Sequence, residues 1–314
     1  MQAVMVHRFG GPEVMQVEEV PTPEPGPDEL LVRVLAAGVG PWDARLRRGG
    51  WTGPLPYIPG GEFAGTVMGE TGAGAGFADG APVYGYPGLT GCYAQYVTCP
   101  IEQLAPIPAA LRAVEAAGVP IDALTAEQGL TDILEIKAGD RVVITAGAGG
   151  LGHFAVQIAH ALGAVIVSTA SPRNHEFVHK LGAAIVIDHT LPSWPDQVRD
   201  ATFGGAERML VCAEPTIRGA ARAARDGAVI ATPVHAKELP DQHRLDWRRY
   251  DGLPRGSRLI RMAPWFDDGS LSVHISGKYF FHDAPAAHEV IEKGHTQGKI
   301  VLVVDEDLAA ALEV

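Results

Sequence analysis

The chain of 314 residues carries 46% hydrophobic and 20% charged side chains, enough for two ordinary domains with cores of their own. Its 37 Asp and Glu outnumber 25 Lys and Arg, and the formal charge of −12 excludes nucleic acid or an anionic membrane as the main partner. The 38 glycines and 24 prolines keep no three-residue period, which excludes a collagen-like chain; three scattered cysteines (Cys92, Cys99, Cys212) make neither a disulfide framework nor a C-x-x-C metal pair. Met1–His7 shows no basic run leading into an apolar signal core, and nothing approaches the ~18 consecutive apolar residues of a membrane span. The chain is expected to be soluble and cytoplasmic.

In chain order, the first part reads as short strands at Ala3–Val6, Leu30–Ala36, Phe63–Met68 and Ala94–Val97. Proline and glycine stretches such as Pro21–Pro27 and Gly72–Gly76 separate them, which predicts a partly antiparallel barrel or sandwich. From about residue 113 strand and helix periods alternate, as in a doubly wound parallel sheet. Arg141–Thr145 is a strand. Gly152–Leu162 follows as a helix with Phe154, Ala155, Ile158, Ala159 and Leu162 on one face. Strand Val165–Ser168, helix Arg173–Leu181 and strands Ala184–Ile187, Met209–Cys212 and Ala228–Ala231 continue the series, with a helix over Thr216–Ala224 between the last two. Lys237–Gly256 lacks clean periodicity and reads as a surface connection. Helix Ala284–Lys293 and strand Ile300–Val304 are too short for a separate core and are expected to pack back on the first domain. The reading is an α/β chain in which a dinucleotide domain, 116–270, is inserted into a discontinuous partner, 1–115 and 271–314.

The strongest local signal is Gly147-Ala148-Gly149-Gly150-Leu151-Gly152, directly after one predicted strand and opening the next helix. The first glycine permits a tight turn, the second lets backbone approach a pyrophosphate, and the third allows close helix–strand packing. Helix N-terminal N–H groups then face the phosphates. An NAD site places Asp or Glu ~20 residues beyond the glycines, on the ribose hydroxyls. Here the second strand runs into Ser171-Pro-Arg173-Asn174 without a carboxylate. Arg173 can pair with a 2′-phosphate as a fork and Ser171 can donate a hydrogen bond to it, so the expected cofactor is NADPH. Thr125-Ala-Glu-Gln128 fits a capping box with Thr125 as N-cap; a plain cap and a cofactor contact both stay open for it.

The chain resembles the zinc-independent medium-chain dehydrogenase/reductases of the quinone oxidoreductase (ζ-crystallin-like) branch over nearly its whole length. The residues carrying the resemblance are Phe9-Gly-Gly-Pro-Glu-Val14, Glu18–Pro27, Val34-Leu-Ala-Ala-Gly-Val-Gly-Pro-Trp-Asp43, Pro59-Gly-Gly-Glu-Phe-Ala-Gly65, Gly91-Cys-Tyr-Ala-Gln-Tyr96, Asp140–Gln157 and Gly294-His-Thr-Gln-Gly-Lys-Ile-Val-Leu302. It implies a GroES-like, partly open β-barrel domain that carries the substrate, a Rossmann domain, an active site between them and a homodimer. Zinc alcohol dehydrogenases of the superfamily ligate metal through Cys and His where this sequence has Gly40 and Gly61. Glycine offers no side-chain donor, so no metal is expected. Quinone oxidoreductases usually carry Asn at the position of Gly40, and its loss is expected to widen the pocket.

Without a Lewis acid, an ordinary ketone is a hard substrate, because charge on the developing alkoxide lacks a counterion. A quinone or another α,β-unsaturated carbonyl spreads that charge over its π system, so positioning and hydrogen bonds suffice for hydride transfer. The expected pocket residues are Gly40, Trp42 and Tyr57, with Tyr57 and Asp43 as candidate catalytic groups and His153 as a surface or packing residue. Two other readings fit the same residues: an enoyl reductase or tailoring enzyme acting on a biosynthetic intermediate, and a non-catalytic NADPH-binding sensor or structural protein.

Overall fold

A computed structural model of the chain describes residues 1–69 and 76–305. The turn predicted at 72–76 therefore lies, but for Gly76, outside the described residues. Two compact units make up the fold. The first comprises Met1–Ile121, Pro254–Asp268 and the chain from Val273 onward; the second comprises Asp122–Leu253 and Gly269–Ser272.

The first unit is built on the 11-residue strand Glu29–Val39. One of its edges takes Phe63–Met68, antiparallel, with a register shift between Val34 and Ala36. The other edge is shared: Tyr96–Pro100 pairs with Glu29–Arg33 and Lys299–Val303 pairs with Ala36–Val39. The irregularity at Val34/Ala36 sits where that edge changes partner, and such bulges bend a sheet toward closure. Pro82–Gly85 and Leu104–Pro106 extend the sheet at one end and Ile275–Phe280 at the other. The C-terminal strand thus packs on the first domain, as its length predicted. Val32, Val34, Val39, Phe63, Val67, Val83, Tyr93, Ile300 and Leu302 fill the core.

The second unit holds a parallel sheet of six strands in the order Ile185–Asp188, Val165–Ala170, Arg141–Ile144, Ala206–Leu210, Ala224–Thr232 and Asp246–Arg249. This is the doubly wound order with its reversal between Arg141–Ile144 and Ala206–Leu210. Apolar runs such as Val142–Ile144 and Ile166–Val167 are wholly buried, as strands covered on both faces require.

Two features differ from the sequence reading. Lys237–Gly256 is not just a connection: Asp246–Arg249 adds the last strand, parallel to Ala224–Thr232, and the Trp247 indole donates to the Pro240 carbonyl at 2.8 Å. Its exposed charges hid it, because an edge strand needs little apolar surface. The helix Gly256–Asp267 falls in the first unit, although 116–270 was assigned to the dinucleotide domain. Its N-terminus lies so close to Leu104 that a Cβ on Gly256 would stand 1.9 Å from the Leu104 carbonyl oxygen. Among the described residues no helix is long and apolar enough to cross a membrane.

Candidate functional site

The glycine turn opens the helix Gly150–Ala161, which starts two residues before the predicted Gly152. A Cβ on Gly147 would meet the Ser168 hydroxyl at 2.1 Å, and one on Gly152 would meet the Ala146 carbonyl at 2.1 Å. A Cβ on Gly149 would touch only the Ala146 carbonyl, at an ordinary 3.5 Å. So Gly147 and Gly152 serve packing, whereas Gly149 faces open space that a side chain would fill. Ala148 is buried, and Leu151 is half-buried in the first turn. Gly149 caps the helix with no side-chain hydrogen bond, which leaves the first-turn N–H groups of Gly150, Leu151 and Gly152 without intrahelical acceptors. Cradle and donors together fit a dinucleotide pyrophosphate.

Gly147 N–H donates to the Thr169 carbonyl at 2.9 Å and Ala146 N–H to the Thr169 hydroxyl at 3.1 Å. These bonds tie the turn to the end of Val165–Ala170, so the short helical turn Pro172–Asn174 follows directly beyond it. Asn174 donates to the Ser171 hydroxyl at 3.3 Å, and Arg173 is exposed.

Sequence reasoning missed the residues at the sheet's reversal point. The Thr145 and Thr216 hydroxyls meet at 2.9 Å, Cys212 N–H donates to Thr145 Oγ1 at 3.0 Å, and Thr216 donates to the Ala213 carbonyl at 2.7 Å. A hydroxyl directly after the strand Arg141–Ile144 and another in the turn Glu214–Thr216 beyond the neighbouring strand Ala206–Leu210 were the available signal. Burial pushes the Cys212 thiol up, which keeps it inert.

Thr125 is not an N-cap. The helix runs Pro120–Gln128, with Pro120 taking a first-turn position where its missing N–H is harmless, and Thr125 lies in its interior. The Thr125 carbonyl accepts from the Tyr250 hydroxyl at 2.9 Å, and Gln128 Oε1 accepts from Leu253 N–H at 3.0 Å. His153 is also no surface residue: it is wholly buried against Phe154, and its Nδ1–H donates to the Gly150 carbonyl at 2.6 Å.

The candidate pocket residues lie in the first unit. Gly40 precedes the short helix Pro41–Arg45, and its N–H donates to Asp43 Oδ2 at 2.8 Å. The Tyr93 hydroxyl donates to the same oxygen at 3.3 Å. Asp43 is 1% exposed. Burial pushes its carboxyl up to about 7; the Glu62 charge adds to this, while the Gly40 and Tyr93 bonds and the Lys299 ammonium oppose it. Tyr57 is buried beside Trp51, ring centroids 5.5 Å apart, and its phenol is pushed up to about 12 by burial and the Asp43 charge. Among the described residues, Trp42 Nε1, Asp43 Oδ1 and the Tyr57 hydroxyl are buried polar atoms with no hydrogen-bond partner. Such atoms are rare enough in folded proteins to mark a place where a ligand or water is accommodated.

Position 40 does not widen the pocket. A Cβ there would stand 2.2 Å from the Trp42 indole, so this chain's own ring fills the space. The Lys299 ammonium lies 5.1 Å from the Trp42 ring centre and 2.9 Å from Glu62 Oε1. Glu62 Oε2 accepts from Ile121 N–H at 2.7 Å. A Cβ on Gly61 would meet the Gly88 carbonyl and Ile121 Cδ1, each at 2.9 Å. Among the described residues no three His, Cys, Asp or Glu side chains group to hold a metal ion.

Residues 26–109 match the alcohol dehydrogenase GroES-like domain family and residues 181–302 the zinc-binding dehydrogenase family. A crystal structure of an NAD-dependent alcohol dehydrogenase is 31% identical, with a TM-score of 0.88 over 97% of this chain and 100% of that one. The chain belongs to the medium-chain dehydrogenase/reductase superfamily, in its quinone oxidoreductase branch. Within that superfamily it is 29% identical to the chloroplastic NADPH-dependent alkenal/one oxidoreductase of Arabidopsis thaliana, over 96% of this chain and 79% of that protein. The Escherichia coli quinone oxidoreductase complexed with NADPH is 25% identical, with a TM-score of 0.87 over 97% of this chain and 100% of that one. Several curated quinone oxidoreductases are matched over 62% of their own length. A GroES-like barrel and a Rossmann sheet are thus the two units described above.

Proposed function

We propose that this medium-chain reductase transfers hydride from NADPH to a quinone or other α,β-unsaturated carbonyl compound, without a metal. One observation carries the cofactor reading: a glycine turn open at Gly149 is bonded to a second strand that runs on into Ser171 and Arg173, with no carboxylate there. The N–H groups of Gly150, Leu151 and Gly152 hold the pyrophosphate, and Arg173 and Ser171 pair with the 2′-phosphate. Bound NADPH supplies the hydride. The relatives named for NADPH and for quinones or alkenals favour the same reading over the NAD-dependent one.

The metal-free part rests on Gly40 and Gly61, which offer no donor atoms and whose side-chain space is already filled. In the first unit the Trp42 ring gives a flat apolar surface, and Tyr57 keeps its proton and donates a hydrogen bond to the acceptor's carbonyl oxygen. That bond strengthens as charge moves onto the oxygen, and water supplies the carbon-bound proton. Asp43, whose charge bears on the Tyr57 phenol, is the second candidate catalytic group. A cytoplasmic homodimer, with the parallel-sheet unit acting as the cofactor domain, completes the proposal.

The test follows loss of the reduced-nicotinamide absorbance with NADPH and NADH against a panel of quinones and enals. Turnover with NADPH is expected, and Arg173→Asp should weaken NADPH at least tenfold while leaving NADH nearly unchanged, because a carboxylate then faces the phosphate. Equal losses for both cofactors would remove Arg173 from the reading. Tight NADPH binding with no acceptor turned over would favour a sensor.

A further inference from the structure

A line of buried side chains in the first unit runs from the helix Ala284–Lys293 to Asp43, and its hydrogen-bond direction follows from chemistry. The Arg47 guanidinium can only donate. Its Nε–H lies 3.2 Å from His288 Nδ1, so Nδ1 accepts and the ring proton must sit on Nε2. Nε2 faces the Tyr93 hydroxyl at 3.4 Å, and that oxygen accepts. The Tyr93 hydrogen is thereby turned toward Asp43 Oδ2, 3.3 Å away. Arg47 is itself anchored by the Gly10 carbonyl and by Glu292, which Arg48 also holds at 2.7 Å. Along the line itself the Arg47 Nε–H, the His288 Nε2–H and the Tyr93 O–H all run toward Asp43, whose second oxygen, Oδ1, has no partner among the described residues.

We propose that His288 is a positioning residue, locked by Arg47 as the Nε2–H tautomer, which aims the Tyr93 hydroxyl at Asp43 Oδ2 and so leaves Oδ1 to gain and lose the proton. The chain cannot serve as a proton wire from its far end, because Arg47 does not give up a proton and has no lone pair to accept one. It orients. Burial, helped by the Arg47 charge, holds the His288 imidazole down at about 3, so the ring is neutral around pH 7. The charged and titratable groups facing Asp43 from the surrounding elements are Glu62, Lys299, Tyr57, Tyr93 and Cys92, and those at the other end of the line are Arg47, Arg48 and Glu292. Asp43 in turn bears on Tyr57, so residues 241 positions apart in sequence set the state of one buried carboxyl.

The assignment depends on the first unit alone and is tested without cofactor or substrate. In ¹⁵N NMR of the wild-type protein the His288 ring should report the Nε2–H tautomer; an Nδ1–H or doubly protonated ring at neutral pH would overturn the direction of the line. Carboxyl ¹³C titration then reads Asp43, its resonance identified by its loss in Asp43→Asn. Tyr93→Phe removes a donor to Oδ2 and should tighten Asp43 proton binding by about tenfold, and His288→Phe should move it the same way by less. His288→Gln should restore the wild-type titration, since its amide oxygen can accept from Arg47 and its NH₂ can donate to Tyr93. Should His288→Phe fail to fold, the tautomer measurement and Tyr93→Phe still decide. Wild-type titration in Tyr93→Phe, or identical shifts in the Phe and Gln variants at 288, would sink the proposal while leaving the NADPH reading untouched.

Discussion

Along the parallel sheet the buried polar side chains are neutral hydroxyls, Thr145, Ser168, Thr169, Thr216 and Thr232, whereas the barrel unit buries Asp43, Arg47, Glu62, His288 and Lys299. A hydroxyl is satisfied by one nearby carbonyl, as Ser168 is by Ile144 at 2.8 Å and Thr232 by Val211 at 3.0 Å. Its burial adds no fixed charge. A buried ion needs a partner of opposite sign, and in the barrel that partner comes from the far end of the chain: Lys299 for Glu62, Glu292 for Arg47. The sheet strands thus bury no charge that needs balancing, while the barrel balances its own.

The sharpest way to break that contrast is Lys299→Met, which leaves the Glu62 carboxylate buried without its ammonium. It should destabilise the barrel by roughly 3–5 kcal/mol in urea unfolding, and adding Glu62→Gln should recover most of the loss. A loss no larger than that of a surface pair would mean the ions are not balanced internally.

Next comes pH, where two barrel groups oppose each other. The Asp43 carboxyl is raised from 3.8 to about 7, so the fold favours its protonated form; that contribution is present below 3.8 and is lost as pH rises toward 7. His288 is lowered from 6.5 to about 3, so the fold favours the neutral ring; that contribution is present above 6.5 and is lost as pH falls toward 3. Between 3.8 and 6.5 the two slopes offset, each at most about 1.4 kcal/mol per pH unit. Thermal melts should therefore show Asp43→Asn losing stability on acidification below 6.5, and His288→Gln losing it as pH rises from 3.8 to 7. Parallel pH curves for the wild type and both variants would refute the internal balance.

The smallest effects belong to the sheet unit and separate its packing glycines from its open one. Gly152→Ala forces a methyl to 2.1 Å from the Ala146 carbonyl and should lower stability by roughly 1–3 kcal/mol. Gly149→Ala meets nothing closer than 3.5 Å, so it should melt like the wild type yet weaken NADPH binding by about tenfold in calorimetry, because the methyl stands where the pyrophosphate approaches. Comparable melting losses in both would erase the distinction.

The glycine turn and the strands around it were legible because their signal is local: a short run of glycines between two apolar periods. Thr125 shows where local reasoning fails, since T-x-x-Q satisfies a cap pattern while Pro120, five residues earlier, starts the helix first. The strand Asp246–Arg249 was hidden by its exposed charges, and Gly40 suggested a wider pocket because nothing in the chain order says that the Trp42 ring turns back over it.

Composition, period and turn residues by themselves determined a dinucleotide-type sheet joined to a strand-rich partner, along with the absence of side-chain donors at positions 40 and 61. Those properties depend on residues close together along the chain, whose spacing is their geometry. Which charges share the barrel interior was decided only in three dimensions. Asp43, Tyr93 and His288 meet because the strand Glu29–Val39 brings the C-terminal strand beside it, and with it the helix Ala284–Lys293, and because burial turns ordinary side chains into groups that must find one another.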